Sequence, residues 1–231
     1  ASDRAGACAI LPGFHAAHVS MPLALPDCPR QPLHTRSIRV QSYARQDGLY
    51  DIEAELIDVK GYDFVKFGQT HPAGKPVHHM HLRLTIDADY NIVDAQAAYD
   101  AAPYGEHCTA IAPDYADLKG MNLLRQFRQA VKERFGRTAG CTHMTELAQV
   151  LPTAAVQTMA GRRRQQAQAN PDQRPFQVGG CHALRTDGPV VREHYPRWYT
   201  GPEANAAAGS RPDGSAPADG AASTDSFIHT T

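Results

Sequence analysis

The chain has 231 residues, 42% hydrophobic and 20% charged, with 23 lysines and arginines against 24 acids. Such a composition supports a buried core in one domain with room for tails, and it excludes wholesale disorder. A formal charge of −1 gives no clustered positive field for DNA, RNA or an anionic membrane, so neither nucleic acid nor membrane is expected as a partner.

Residues 1–33 are rich in Ala, Pro and His without a steady period and read as an N-terminal arm. They show no charged segment followed by a long apolar core, so no secretory signal is expected. Nowhere does an apolar run approach the ~20 residues needed to span a bilayer, and the expected compartment is the cytoplasm. Residues 37–60 read as a strand pair turning at Arg45-Gln46-Asp47-Gly48. In the second strand Ile52, Ala54 and Leu56 alternate with Asp51, Glu53 and Glu55, the pattern of a half-buried strand. Gly68, Pro72, Gly74 and Pro76 mark residues 66–76 as a loop.

Residues 77–87 give the clearest strand. His78, Met80, Leu82, Leu84 and Ile86 share one face, while His79, His81, Arg83, Thr85 and Asp87 share the other. A turn over residues 87–91 leads into a strand over 92–98, which makes an antiparallel meander. The pattern then becomes helical: Leu123, Leu124, Phe127, Val131 and Phe135 recur at three- and four-residue steps, ending at Gly136 and Gly140. A second helix starts at Thr142 or His143, with Thr142 available as a cap, and Pro152 divides it. Arg162-Arg163-Arg164 read as a solvated helix end, and residues 165–180 as a polar linker. Residues 181–185 and 190–192 flank a Thr186-Asp187-Gly188-Pro189 turn and read as a short strand pair. The expected fold is therefore α+β, one domain over residues 34–199, with a low-complexity tail over 200–231 too poor in apolar residues to fold alone.

Five cysteines, an odd and widely spaced set, argue against a disulfide framework. Twelve histidines direct attention to metal or thiolate chemistry. Cys141 in Gly140-Cys141-Thr142-His143 lies at a helix start, where unpaired N–H groups and the helix dipole favour a thiolate. His79 and His81 on one strand face have a usable ligand spacing, and His78, among apolar residues, must find a partner or a ligand. Cys108 follows the sheet. Cys108, Cys141, His143 and a strand histidine, His78 or His79, would make the mixed N/S set that zinc prefers and iron accepts. Arg83, Asp87 and His81 are candidates for contact with substrate or with the ligands. Asp51, Asp58, Asp87 and Glu146 are acids available as bases or as partners of the ligands, and surface solvation accounts for most of them equally well. The chain has no G-x-x-x-x-G-K phosphate loop and no G-x-S-x-G elbow.

Three blocks carry a resemblance. They are His34-Thr35-Arg36-Ser37-Ile38 running through Arg45-Gln46-Asp47-Gly48 to Asp58-Val59-Lys60; His78-His79-Met80-His81-Leu82-Arg83-Leu84-Thr85-Ile86-Asp87; and Gly140-Cys141-Thr142-His143, followed later by Cys181-His182-Ala183-Leu184. Together they resemble a bacterial family described only as a domain of unknown function, over roughly residues 34–199. The family resemblance implies a role in breakdown of aromatic or other organic acids. More distantly, residues 80–108 are similar to iron–sulfur scaffolds of the NifU/IscU type. That likeness implies a short antiparallel sheet packed by helices, with three cysteines and an Asp or His holding a cluster or zinc. On it, Cys108 and Cys141 match the second and third cysteines. The first is missing, with His78 or His79 near its place, which argues for a mononuclear ion rather than cluster assembly.

The expected function is thus a mononuclear zinc or iron protein, an enzyme or an enzyme subunit in organic-acid catabolism. A cysteine catalyst built on Cys141 with His143 as base is a second chemical reading. The alternative is a non-catalytic subunit of a homo-oligomer or larger protein complex, its arm and tail wrapping a partner.

Overall fold

The computed structural model describes residues 23–202. Most of the arm read over 1–33 and nearly all of the tail read over 200–231 lie outside these residues. Strands β1 (His34–Ala44), β2 (Tyr50–Lys60), β5 (Pro76–Ile86) and β6 (Ile92–Ala101) form one antiparallel sheet in the order β1-β2-β5-β6. The expected meander is present. Its first turn is closed by Arg45 N–H to the Leu49 carbonyl at 2.9 Å, with Gly48 at φ 84°, a left-handed conformation that glycine adopts without strain. Between β2 and β5 stands a separate hairpin, β3 (Phe64–Lys66) with β4 (Gln69–His71), where the sequence reads as a loop. Its two turn residues, Phe67 and Gly68, take φ of 51° and 75°, the geometry of a tight two-residue connection. Strands of three residues are too short to show alternation.

Helix α1 (Glu106–Thr109) follows the sheet, then a 3-10 segment (Ala112–Leu118), then α2 (Phe127–Phe135), α3 (Thr142–Gln149), α4 (Leu151–Thr158), α5 (Ala160–Ala169) and α6 (Pro189–His194). The helices cover one face of the sheet. Ile52, Ala54 and Leu56 of β2 and Met80, Leu82, Leu84 and Ile86 of β5 pack there against Phe127, Val131, Phe135, Met144, Leu147 and Leu151. Burial of this apolar area, at about 25 cal/mol per Å², drives the assembly. Pro152 sits in the first turn of α4, a place that tolerates its missing N–H, so it begins a helix after a break.

Two expectations are corrected toward the C-terminus. No strand pair forms over 181–192: residues His182–Leu184 make a 3-10 turn and Pro189–His194 a helix. Pro189 presets helical φ behind Gly188, and Val191, fully buried, anchors that helix. Likewise α5 takes up part of the stretch read as a linker, and Arg162–Arg164 lie in its first half rather than at its end. Nor is Arg163 merely solvated: its Nε donates to the Tyr90 hydroxyl at 2.6 Å and its guanidinium lies 4.1 Å from the Phe176 ring centroid. Among the described residues no helix is long and apolar enough to cross a membrane.

Candidate functional site

The β1–β2 turn fixes a register in which Arg36 faces Asp58, and the β2–β5 ladder places His78 opposite Asp58. Arg36, Asp58 and His78 thus form a row across three strands, with His34 two residues from Arg36 on the same face. Asp58 occupies the position after Ile52, Ala54 and Leu56 on the core-facing side of β2, and it is 3% exposed. A carboxylate there must be neutralised and hydrogen-bonded. Arg36 donates to it twice, Nε to Oδ1 and Nη2 to Oδ2, both at 2.8 Å. His34 Nε2 meets Oδ1 at 3.0 Å, and His78 Nδ1 meets Oδ2 at 3.0 Å. These four contacts fill the roughly four lone-pair positions of a carboxylate. Burial pushes the Asp58 carboxyl up, but hydrogen bonds from Arg36 and His34 and the nearby charges outweigh it and hold it down at about 2. Arg36 also pairs with Glu146 of α3, so the guanidinium joins the sheet to the helix.

His78 is the consequential partner. An ionised carboxylate accepts only, so Nδ1 must carry the proton that Asp58 takes. Burial, with His143 next to it, lowers the His78 pKa despite the opposing pull of Asp58. At neutral pH the ring is therefore uncharged and its Nε2 is a bare lone pair. His143, from the first turn of α3, lies tilted by 30° against His78 with ring centroids 3.8 Å apart, and its Nε2 comes to 3.9 Å from Asp58 Oδ2. One ligand-type atom from each of Asp58, His78 and His143 lies within 4.8 Å of the others.

Cys141 adjoins this cluster. It is itself the cap residue of α3, where the sequence reading allowed Thr142. The Tyr115 hydroxyl accepts the Cys141 N–H at 3.0 Å and lies 3.0 Å from the Cys141 carbonyl, which clamps the cap. Gly140 is required just before it, because a Cβ there would come within 2.5 Å of the Phe135 carbonyl oxygen. Burial pushes the thiol up. The His143 ring, the Met144 N–H, the Tyr99 hydroxyl and the His143 N–H, all donors close to the sulfur, overcome it, and the pKa falls to about 7. The Tyr99 hydroxyl is buried with no hydrogen-bond partner, and the Cys141 sulfur beside it, once ionised, is the acceptor that would suit it.

Of the residues singled out from sequence, His78, His143 and Cys141 come together here. Among the described residues neither cysteine joins a group of three ligand atoms within 4.8 Å; Cys141 is tied to the cluster through the His143 ring, whereas Cys108 acts only on Tyr99. His79 and His81 belong to the opposite face, with Glu55. Arg83 is held by Glu53 at 2.7 Å. Asp87 closes the β5–β6 turn, accepting from the N–H groups of Asp89 and Asn91 at 2.8 and 2.9 Å. His34, Arg36, Tyr99 and Tyr115 were given no role from sequence. The signal for Arg36 was available: the turn at Gly48 dictates which β1 residue faces Asp58. No sequence pattern announces the two tyrosines.

The family model described as a protein of unknown function (DUF2889) matches residues 34–157. That span is over half of the chain and contains all residues of the cluster; the Cys181-His182-Ala183-Leu184 block lies outside it. No curated protein and no solved structure matches the chain.

Two outcomes follow for this site. Asp58→Asn, which leaves Arg36 and the imidazoles without their anion, should cost about 3–5 kcal/mol in urea unfolding at neutral pH. Because the folded pKa is depressed, the stability Asp58 contributes is present above the unfolded carboxyl range and lost as pH falls toward about 2, so wild type and variant should converge on acidification. Alkylation of Cys141 by iodoacetamide should titrate with a midpoint near pH 7, against ~8.5 for an ordinary thiol. Tyr99→Phe should move that midpoint upward, and an unmoved midpoint would remove Tyr99 from the thiolate's support.

Proposed function

The chain belongs to the DUF2889 family of proteins of unknown function, and from the geometry around Asp58 we propose that it is a metal-binding protein with one zinc or iron ion at this cluster. The observation that carries the reading is His78. With Nδ1–H committed to Asp58 and the ring neutral, its Nε2 is presented as a ligand, the arrangement by which a carboxylate orients an imidazole toward a metal. His78 and His143 are the nitrogen ligands, and the Cys141 thiolate, outside the group of atoms within 4.8 Å but beside the His143 ring, closes on the ion as the sulfur ligand. Asp58, its lone pairs already filled, holds His78 in place. This N/N/S set suits zinc and is acceptable to iron; of the cysteines that the NifU/IscU likeness implies it keeps Cys141 alone.

Three protein ligands leave a position for water or substrate, where the ion would polarise a carbonyl or activate water. A cavity of about 670 Å³ borders the site through Tyr99 and is also lined by Phe64, Lys66, His71, Lys75 and Thr109. Aromatic walls with cationic side chains suit an organic acid, and an enzyme or enzyme subunit acting on such acids is the function we assign. Cys28, Cys108, Cys141 and Cys181 are all free, which suits a reducing compartment such as the cytoplasm. A second reading is favoured by the acidity of Cys141: a metal-free nucleophile with His143 as its base.

Metal analysis decides between them. Full-length protein loaded with zinc and dialysed should lose about one equivalent on His78→Ala and on Cys141→Ser, relative to wild type. Unchanged zinc content in both variants, with fast alkylation of Cys141 surviving chelation, would overturn the metal reading in favour of the nucleophile.

A further inference from the structure

Alternation along β5 sends His78 toward the helices and His79 and His81 to the opposite, open face of the sheet. There they meet acids from both neighbouring strands. Glu55 of β2 is in register with His81, and its Oε1 lies 2.8 Å from His79 Nε2. Asp100 of β6 places Oδ2 at 2.9 Å from His81 Nε2 and 3.5 Å from His79 Nδ1. The two imidazole centroids are 4.6 Å apart. Glu55, His79 and His81 are half-buried, His79 being the most enclosed with 22% of its side chain exposed, while Asp100 is exposed.

We propose that Glu55, His79 and His81 form a second divalent-cation site, of zinc-type chemistry, with Asp100 as the additional carboxylate. A neutral imidazole has one N–H and one lone pair, and carboxylates only accept. His79 has a carboxylate oxygen near each ring nitrogen, so in the neutral ring its one nitrogen lone pair faces a lone pair of a carboxylate. A cation at the centre turns that opposition into ligation, and its double charge matches the two carboxylates. Ligand atoms of Glu55, His79 and His81 already lie within 4.8 Å of one another. Zn–N and Zn–O bonds of ~2.0–2.2 Å imply a tetrahedral edge of roughly 3.4 Å, so closure requires side-chain movements of about 1 Å. Half-exposed side chains on adjacent strands can make them. Two histidines two apart on one strand, completed from the neighbouring strand, give the ion a rigid base.

The site is independent of the Asp58 cluster and its test is separable. Cobalt(II) is titrated into full-length His78→Ala protein and followed by visible absorption. The expected result is about one equivalent bound with a tetrahedral spectrum, weakened at least tenfold by adding His79→Ala. Absence of saturable binding in the His78→Ala protein, or binding indifferent to His79→Ala, overturns the proposal. If His78→Ala does not fold, calorimetry of zinc binding to Glu55→Gln and His81→Gln on the wild-type background reads the same question. Loss of one equivalent supports the site and unchanged stoichiometry refutes it. Failure of the Asp58 centre would show in the His78 and Cys141 variants and leave the His79 result standing.

Discussion

A single buried carboxylate organises the end of the sheet that faces α3. Asp58 interrupts an otherwise apolar face of β2, and the cost of burying its charge is met by two bonds from Arg36 and one each from His34 and His78. A buried ion pair of this kind contributes little net stability compared with well-packed apolar groups, but losing one partner is expensive. Its value here is geometric. The Arg36 guanidinium, shared with Glu146, locks β1 and β2 to α3, and the hydrogen bond that His78 Nδ1–H donates to Asp58 decides which nitrogen of that ring remains free.

The second constraint is the backbone at the start of α3. The Tyr115 ring stacks on Phe135 with centroids 4.5 Å apart, and its hydroxyl holds the Cys141 amide. Core packing thereby fixes the position of the sulfur. Gly140, pressed against Phe135, lets the chain enter that turn. Local N–H groups and the helix dipole then favour charge on sulfur. His143 connects the two constraints, since it lies beside Cys141 and against His78. Sheet and helix therefore each supply half of a polar site that neither could build alone.

Much of the sheet was legible because its residues alternate cleanly, and Gly48 and the Asp87–Asn91 turn punctuate it. The short C-terminal segments were misread because three- to five-residue runs carry no period, and Pro189 has more influence than Val190 on local backbone. For the site, residue type pointed to His78, Cys141 and His143. Alternation had already set His78 apart from His79 and His81, yet the strand histidines were grouped as alternatives for one ion. The sheet separates them into two clusters on opposite faces. Asp58 was legible only as one acid among several. Its importance depends on the cross-strand register, which puts Arg36 and His78 on either side of it. Tyr99 and Tyr115 arrive from β6 and the 3-10 segment by tertiary packing, for which no local pattern exists.

The most direct test of this account is the tautomer of His78, read by long-range proton–nitrogen correlation NMR on ¹⁵N-labelled protein kept free of metal at neutral pH. The account requires a neutral ring protonated at Nδ1, with an unprotonated Nε2, and requires that pattern to disappear in Asp58→Asn. A ring carrying its proton on Nε2, or a His78 that stays doubly protonated, would contradict it, because Asp58 would then not be presenting a free nitrogen to the site.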